Sequence, residues 1–413
     1  MLSLIKPVRK NITRAILLVA LTVIVFAIIA AIPETVSAAT NTYTISTKTK
    51  PCYKSYRKLS YYNRYTKNSV TLRSYMRKMQ KHGGGKLIIK KGTYNLPLTV
   101  YVPKNVKIVL NSGAVLKKTS KTGRKKTHSE AAVFKLIRPT KAYKKNAVGG
   151  YGGEKDISFS GGGTFDLNKY NGSIAIVMGH NLNVSVTGIH FKNMKNGHFI
   201  EMDASKNVNI SNCTFDDNYG TSESKEAINI DTPDNNTHGF GSVWSKHDKT
   251  PNYNINISGC RFSNMFRAVG THMYSTNKYH KKIIIKDCVM TGMKSHAIKA
   301  LNWQDYSITN NIISGISSKS GKGIRIAGCK NIHIVDNTIS HYKMVMWIAP
   351  SKNVVYATDY PTTYNDLSEE ELKSTVDNTF TDYGENFIRC YSKYNDYTSD
   401  SLEMIFFAPG ANE

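Results

Sequence analysis

The sequence predicts an all-β solenoid, a parallel β-helix closed by a cap at each end. Three observations carry this. Seven segments repeat one pattern: "ISFSGGGTF", "VSVTGIHF", "VNISNCTF", "INISGCRF", "IIIKDCVM", "YSITNNII" and "IHIVDNTI", starting at 157, 184, 208, 255, 283, 306 and 332. Their steps are 27, 24, 47, 28, 23 and 26 residues, a period near 25 that marks a repeat architecture. Each repeat holds β-branched strand patterns and Asn/Gly turns, with no room for a long helix.

The chain order follows from this. Residues 1–39 read as an export signal. Lys6, Arg9, Lys10 and Arg14 precede the apolar run Ala15 to Ile32, and small residues follow up to Ala39. If uncleaved, residues 15–32 are long enough to serve as a membrane anchor. Residues 40–68 form a basic segment. "SVTLRSYMRKMQKH", 69–82, places Val70, Tyr75, Met76 and Met79 near helical spacing and predicts a helix that plugs the open first coil. The solenoid then runs over 69–352, with the 47-residue step explained by an insertion at about 232–253. Residues 353–413 read as a C-terminal cap, in which Ser368 and Glu371 are spaced as a capping box.

The repeat columns predict the core. Phe159, Val186, Ile210, Ile257, Ile285, Ile308 and Ile334 share one position, and Phe191, Phe215, Phe262, Met290, Ile313 and Ile339 another. Coils stack about 4.8 Å apart, so each column forms a buried ladder. Cys213, Cys260 and Cys288, followed by Asn311 and Asn337, occupy a third column. The cysteines read as small buried residues rather than as disulfides, and their spacing is not that of a zinc site.

Charge is segregated. The chain has 56 Lys+Arg against 29 Asp+Glu, but residues 41–146 alone hold 27 basic residues and one acid, Glu130, for a net +26. The rest of the mature chain is close to neutral. A basic stretch on an exported protein points to a polyanion partner: an acidic polysaccharide, an anionic cell-wall polymer or a lipid surface, with nucleic acid not expected outside the cell. The expected location is secreted or cell-surface associated, and the expected state a monomer.

The opening "GGGKLIIKKGTYNLPLTVYVPKNVKIVLNSGAVL" and the coils after it resemble the pectin-lyase-like superfamily of right-handed parallel β-helices, over roughly 69–352. That fold hosts hydrolases, lyases, epimerases and non-catalytic adhesins. The catalytic comparison is with polygalacturonase-type glycoside hydrolases. Matching inward-facing residues sets the family's first motif aspartate on His198 and its paired aspartates on Lys225 and Glu226. Its histidine falls on Arg267, its arginine on Lys299 and its lysine on Leu301. One acid and one positive charge are kept, so the family's inverting hydrolysis does not carry over.

The strand containing "EAINID" and its counterparts on the other coils carry the candidate site. Aligning the inward pairs Ile200/Met202, Ile228/Ile230, Ile298/Ala300, Ile324/Ile326 and Met346/Ile348 gives an outward column of Glu201, Asn229, Gly270, Lys299, Arg325 and Trp347. The residues closing these strands include Asp203, Asp231 and His272, and those opening them His198, Glu226, Arg267 and His296. Acids gather on two coils and cations on the next three. This predicts a groove for a charged polymer, with Glu201, Asp203, Glu226, Asp231 and His272 as catalytic candidates. His198, Asn229, Arg267, His296, Lys299, Arg325 and Trp347 would bind substrate, with Trp303 at the rim and Trp244 walling the groove from the insertion. Glu201 and Asp231 lie diagonally at about 8 Å, within the roughly 6.5–9.5 Å of inverting glycosidases. Hydrolysis of an acidic polysaccharide, needing no cofactor, is slightly favoured. Two alternatives stay open: a lyase in which Glu201, Asp203 and Asp231 hold Ca²⁺ while Lys299 or Arg325 acts as base, and a non-catalytic wall-binding module.

Overall fold

The computed structural model describes residues 41–351, 362–384, 388–391 and 403–406. The expected export segment and parts of the C-terminal region lie outside them. Among the described residues no helix is long and apolar enough to cross a membrane. The strands form three sheets of ten, eleven and ten members. All pairings are parallel except the last, between Ile388–Tyr391 and Glu403–Phe406. Each regular coil contributes one strand to each sheet, as in Lys206–Ser211, Thr214–Asn218 and Glu226–Asp231, and the fold is a right-handed parallel β-helix.

The ladders form as the repeat columns predict. Val186, Ile210, Ile257, Ile285, Ile308 and Ile334 are paired in register and fully buried. In the second sheet the rings of Phe165, Phe191, Phe215 and Phe262 stack nearly parallel, with centroids 5.2, 4.9 and 4.7 Å apart. These separations match the strand spacing, so the rings stack face to face from coil to coil. Cys213, Cys260 and Cys288 are buried free thiols, continued by Asn311 and Asn337, whose side-chain amides bond to each other at 2.8 Å.

The turns explain the Asn-rich sequence. Asp156, Asn183, Asn207, Asn254, Asp305 and Asn331 all adopt φ between 49 and 59°, a region Asn and Asp tolerate better than other non-glycine residues. Their side chains bond up the stack, for example Asn207 Nδ2 to Asn183 Oδ1 at 3.0 Å and Asn254 Nδ2 to Asn207 Oδ1 at 2.8 Å.

The helix expected over 69–82 spans Lys67–Lys81 and buries Leu72, Met76 and Met79 in the core. The basic segment before it also supplies a strand, Thr42–Ile45, which pairs with Gly85–Ile89. Near the other end, Glu369–Ser374 is a helix with the reciprocal Ser368/Glu371 capping box.

The third sheet holds the candidate site, in the order Val100–Tyr101, Ala132–Lys135, Ile174–Gly179, His198–Asp203, Glu226–Asp231, Arg267–Gly270, Ile298–Leu301, Lys322–Ala327 and Met344–Ile348. The insertion folds onto its N-terminal half. Phe240 and Trp244 pack with Ala132, Ile137, Ala142, Val148 and Val177 in a second apolar cluster. Gly179 is required beneath it, since a Cβ there would lie 2.4 Å from the Phe240 ring.

Replacing Phe215 by Ala opens the ring stack at its centre and is expected to cost about 3–5 kcal/mol of unfolding free energy. Asn207→Ala on the outer ladder should cost about 1 kcal/mol. Urea denaturation checks both, and equal small losses would contradict the stacked core.

Candidate functional site

The register places the outward column as the alternation predicts: Glu201 beside Asn229, Asn229 beside Gly270, then Lys299, Arg325 and Trp347. It also extends the column the other way, through Val177 and Lys135 to Tyr101. These coils carry no clear copy of the repeat, so sequence reasoning missed Lys135 and Tyr101.

The four candidate carboxylates meet four different fates. Glu226 is fully buried; its Oε1 accepts from Arg267 Nη1 at 2.9 Å and its Oε2 from His272 Nδ1 at 3.1 Å. Burial pushes its pKa up, but the His272 and Arg267 charges outweigh that and hold it well below the usual carboxylate range. Asp231 is also fully buried, and its Oδ1 accepts the backbone amides of His272 and Met273, both at 3.0 Å. Burial raises its pKa, with the His272 charge opposing. Asp203, beside Asp231 in register, is sealed, with neither carboxylate oxygen partnered among the described residues. Burial, then Glu201 and Asp231, push it well above the normal value, so it is held neutral. Glu201 is the one that opens outward. It lines a hollow of about 450 Å³ with Lys135, Glu130, Tyr101, Gly241 and Ser242. Burial raises its pKa to about 7, with Lys135 opposing and Asp231 reinforcing the shift.

His272 is clamped between two acids, with Nδ1 on Glu226 and Nε2 3.5 Å from Asp231 Oδ2. Burial lowers its pKa, but Asp231 and Glu226 reverse this and leave it raised, which favours the imidazolium. Its ring stacks on His198 at 5.5 Å. His198 Nδ1 donates to the Glu226 carbonyl oxygen at 2.7 Å, and burial, with the His272 charge, pushes its pKa down to about 3, keeping it neutral. Asn229 is buried between Glu201 and Gly270, with its Oδ1 unpartnered among the described residues. At Gly270 a Cβ would meet the Lys299 Cβ at 2.9 Å, so glycine leaves a notch in the column. Beyond it the Lys299 side-chain amine makes no hydrogen bond or ion pair among the described residues. Its pKa falls to about 8 through burial, then the adjacent Arg267 charge, with Arg325 adding.

Several expected ligand contacts are not available as placed. Trp303 is fully buried, opens a first-sheet strand and donates its indole N–H to Thr271 Oγ1 at 2.8 Å; it faces the core, not a rim. Trp244 is buried as the anchor of the insertion, and Gly241 and Ser242 wall the hollow instead. Arg325 is buried, with Nη1 on the Ile326, Trp347 and Ala349 carbonyls and Nη2 on that of Pro350, so its guanidinium braces backbone. Trp347 lines a second hollow of about 450 Å³ with His296, Lys294, Lys322 and Lys343. Its ring already carries Lys322 Nζ at 3.3 Å and the Arg325 guanidinium at 3.8 Å, which makes this end a cationic collar rather than a bare stacking face. The His296 ring stacks on it at 6.2 Å, and burial, then Arg267 and its other cationic neighbours, keep it neutral.

The calcium set does not fit. Glu201, Asp203 and Asp231 do not bring their oxygens together; among the described residues the only group of three such side chains with ligand atoms all within 4.8 Å of one another is His198, Glu226 and His272. There the Arg267 guanidinium already neutralises Glu226, and its charge opposes a cation.

No family model matches the chain, and no curated protein does. Solved structures do. The Streptococcus pneumoniae surface protein and adhesin PfbA is similar at 19% identity over 84% of this chain and 88% of that one, with a TM-score of 0.61. The A-module of the Azotobacter vinelandii mannuronan C-5 epimerase AlgE4 aligns at 12% identity over 78% of this chain and 87% of that one, with a TM-score of 0.51. The tailspike protein of E. coli bacteriophage HK620, in complex with a pentasaccharide, aligns at 12% identity over 78% of this chain and 59% of that one, with a TM-score of 0.50. At these identities the likeness is one of fold.

Two substitutions test the electrostatics. Asp203 keeps its proton when folded but loses it above its ordinary pKa when unfolded. The folded state therefore binds more protons, and this group's contribution to stability falls as pH rises from about 4. Asp203→Asn should remove that slope and raise the melting temperature at pH 7. Glu226→Gln should instead cost about 3–5 kcal/mol by stranding Arg267. Thermal melts across pH check both, and a destabilised Asp203→Asn would show that Asp203 is ionised.

Proposed function

We propose that this right-handed parallel β-helix of the pectin-lyase-like kind is a carbohydrate-active protein. It holds an acidic, uronate-containing polysaccharide along the outer face of its third sheet and cleaves it by elimination beside Glu201. One observation carries the reading. Glu201, at about 7, opens onto the hollow it shares with Lys135, and His272 is near enough to act on its charge while itself clamped by Glu226 and Asp231.

The chemistry follows from those groups. A carboxylate with a pKa near neutrality is suited to act as a general base. Ionised Glu201 removes the proton from the carbon next to the uronate carboxyl. Lys135 stabilises the negative charge that spreads onto that carboxyl. The electrons form a carbon–carbon double bond as the glycosidic C–O bond breaks, and the departing oxygen takes a proton from solvent in the open hollow, where the proton taken up by Glu201 is later returned. No water is consumed. Lys299 and the collar of Lys294, Lys322 and Lys343 attract further carboxylates along the chain.

Hydrolysis, slightly favoured from the sequence, remains as a second reading because protonated Glu201 also suits a general acid. It requires a second carboxylate to activate water, and Asp203, Glu226 and Asp231 are all buried, two of them already bonded. That shifts the preference to elimination. The export segment expected in residues 1–39 fits a substrate outside the cell.

Incubation with polygalacturonate, alginate and hyaluronate tests this. Elimination predicts unsaturated products absorbing in the ultraviolet, unaffected by chelation. Activity should rise through about pH 7 as Glu201 ionises. New reducing ends without absorbance, with activity declining above about pH 7, would mean hydrolysis. Glu201→Gln should lower turnover by about 10²–10⁴-fold with binding retained. Retention without either product would leave a binding protein only.

A further inference from the structure

The hollow at Glu201 does not end the groove. Tyr101 and Tyr143 line it and also line a second hollow of about 380 Å³, together with Tyr56, Tyr61 and Arg73. This second hollow is built by the basic segment and the first coils, and none of the residues expected to bind substrate belongs to it. We infer that it is a distal subsite for the same acidic glycan. There tyrosine rings receive sugar rings of the chain cleaved at Glu201, and the basic N-terminal region is a substrate-binding extension rather than a separate anchor. This rests on the elimination-groove reading above.

Continuity is the first support. Tyr101, Lys135, Val177 and Glu201 are consecutive members of one outward column, so Tyr101 lies three strand spacings, about 14 Å, from Glu201. A polymer occupying the first hollow would therefore reach the second. The floor between them is fixed. Arg73 Nη2 contacts both Glu130 oxygens at 3.0 Å, with Arg73 lining one hollow and Glu130 the other.

The lining chemistry is the second support. The Tyr101 and Tyr143 hydroxyls are bonded at 2.8 Å and their rings meet edge to face at 5.5 Å, a preset arrangement that loses little entropy on binding. Tyr143 is 69% exposed, the most exposed large apolar side chain among the described residues. Tyrosine offers an apolar face to a sugar ring and a hydroxyl to its oxygens. Charge is the third support: residues 41–146 carry a net +26, complementary to a polyanion and not to a neutral glycan. At the opposite end the Trp347 face is already covered by cations, so the aromatic platform of this groove stands at the Tyr101 end.

The test compares the full chain with its Tyr56→Ala, Tyr61→Ala and Tyr61→Phe variants, at tyrosines that line the second hollow and not the first. Each binds immobilised polygalacturonate, alginate and hyaluronate, and fragments of each that are too short to reach from Glu201 to Tyr101. The expected result is binding of one long polymer weakened roughly three- to tenfold by each Ala variant. Tyr61→Phe should restore most of it, short-fragment binding should be unchanged, and melting temperatures should be equal. Ala variants that bind the long polymer as the parent does overturn the distal subsite and leave the Glu201 site standing. A parent that binds none of the polymers removes both. Tyrosine-dependent binding of phosphatidylglycerol vesicles in place of the polymers makes the hollow a membrane contact and also overturns the inference.

Discussion

The function of this protein depends on one constraint: parallel coils stacked in register about 4.8 Å apart. Side chains alternate in and out with a period of two, so a slip of one residue would bury Glu201 and Lys299 and expose Ile200 and Ile298. The ring stack through Phe191, Phe215 and Phe262 and the Asn ladders at the turns penalise such a slip on every coil. Residues as distant in sequence as Tyr101 and Trp347 thereby come to share a single line on one wall.

That line is differentiated by burial as much as by residue type. Four acids on two neighbouring strands are separated into an ion-paired anion, an amide-bonded carboxylate, a sealed neutral acid and one open carboxyl poised near neutrality. The insertion does much of the sorting. By seating Phe240 on Gly179, the register neighbour of Asp203, it closes one side of the strand pair and leaves Glu201 at the edge of the opening. His272 comes from the next coil and ties Glu226 to Asp231. The cost of burying charge here is met by pairing or by proton retention, and the groups left near neutrality are the ones suited to move protons.

The fold was legible because repetition amplifies it: each Ile or Phe in a column repeats the same statement about an inward position, and the register of the third sheet follows from those positions alone. The column Glu201, Asn229, Gly270, Lys299, Arg325, Trp347 could be read for that reason. What lay over the column could not. Nothing local in "TPDNNTHGFGSVWSKHDKTPN" shows that Trp244 turns inward while Gly241 and Ser242 face the hollow. Trp303 looked like a rim residue because "ALNWQDYS" gives no mark of where one sheet ends and the next begins. Lys135 and Tyr101 escaped notice because the irregular coils before residue 157 lack the repeat; tracing their strands Val100–Tyr101 and Ala132–Lys135 back from Ile174–Gly179 would have found them. Arg325 was correctly placed, but its bonds to carbonyls of the next turn depend on a chain path that periodicity does not describe.

The most direct test of the account is a crystal structure of the Glu201→Gln variant with a long acidic oligosaccharide bound. The account predicts a glycan lying along the third sheet, with a linkage at position 201, a uronate carboxyl beside Lys135 and sugar rings continuing towards Tyr101. A chain bound on the first or second sheet, or at a capped end, would contradict it.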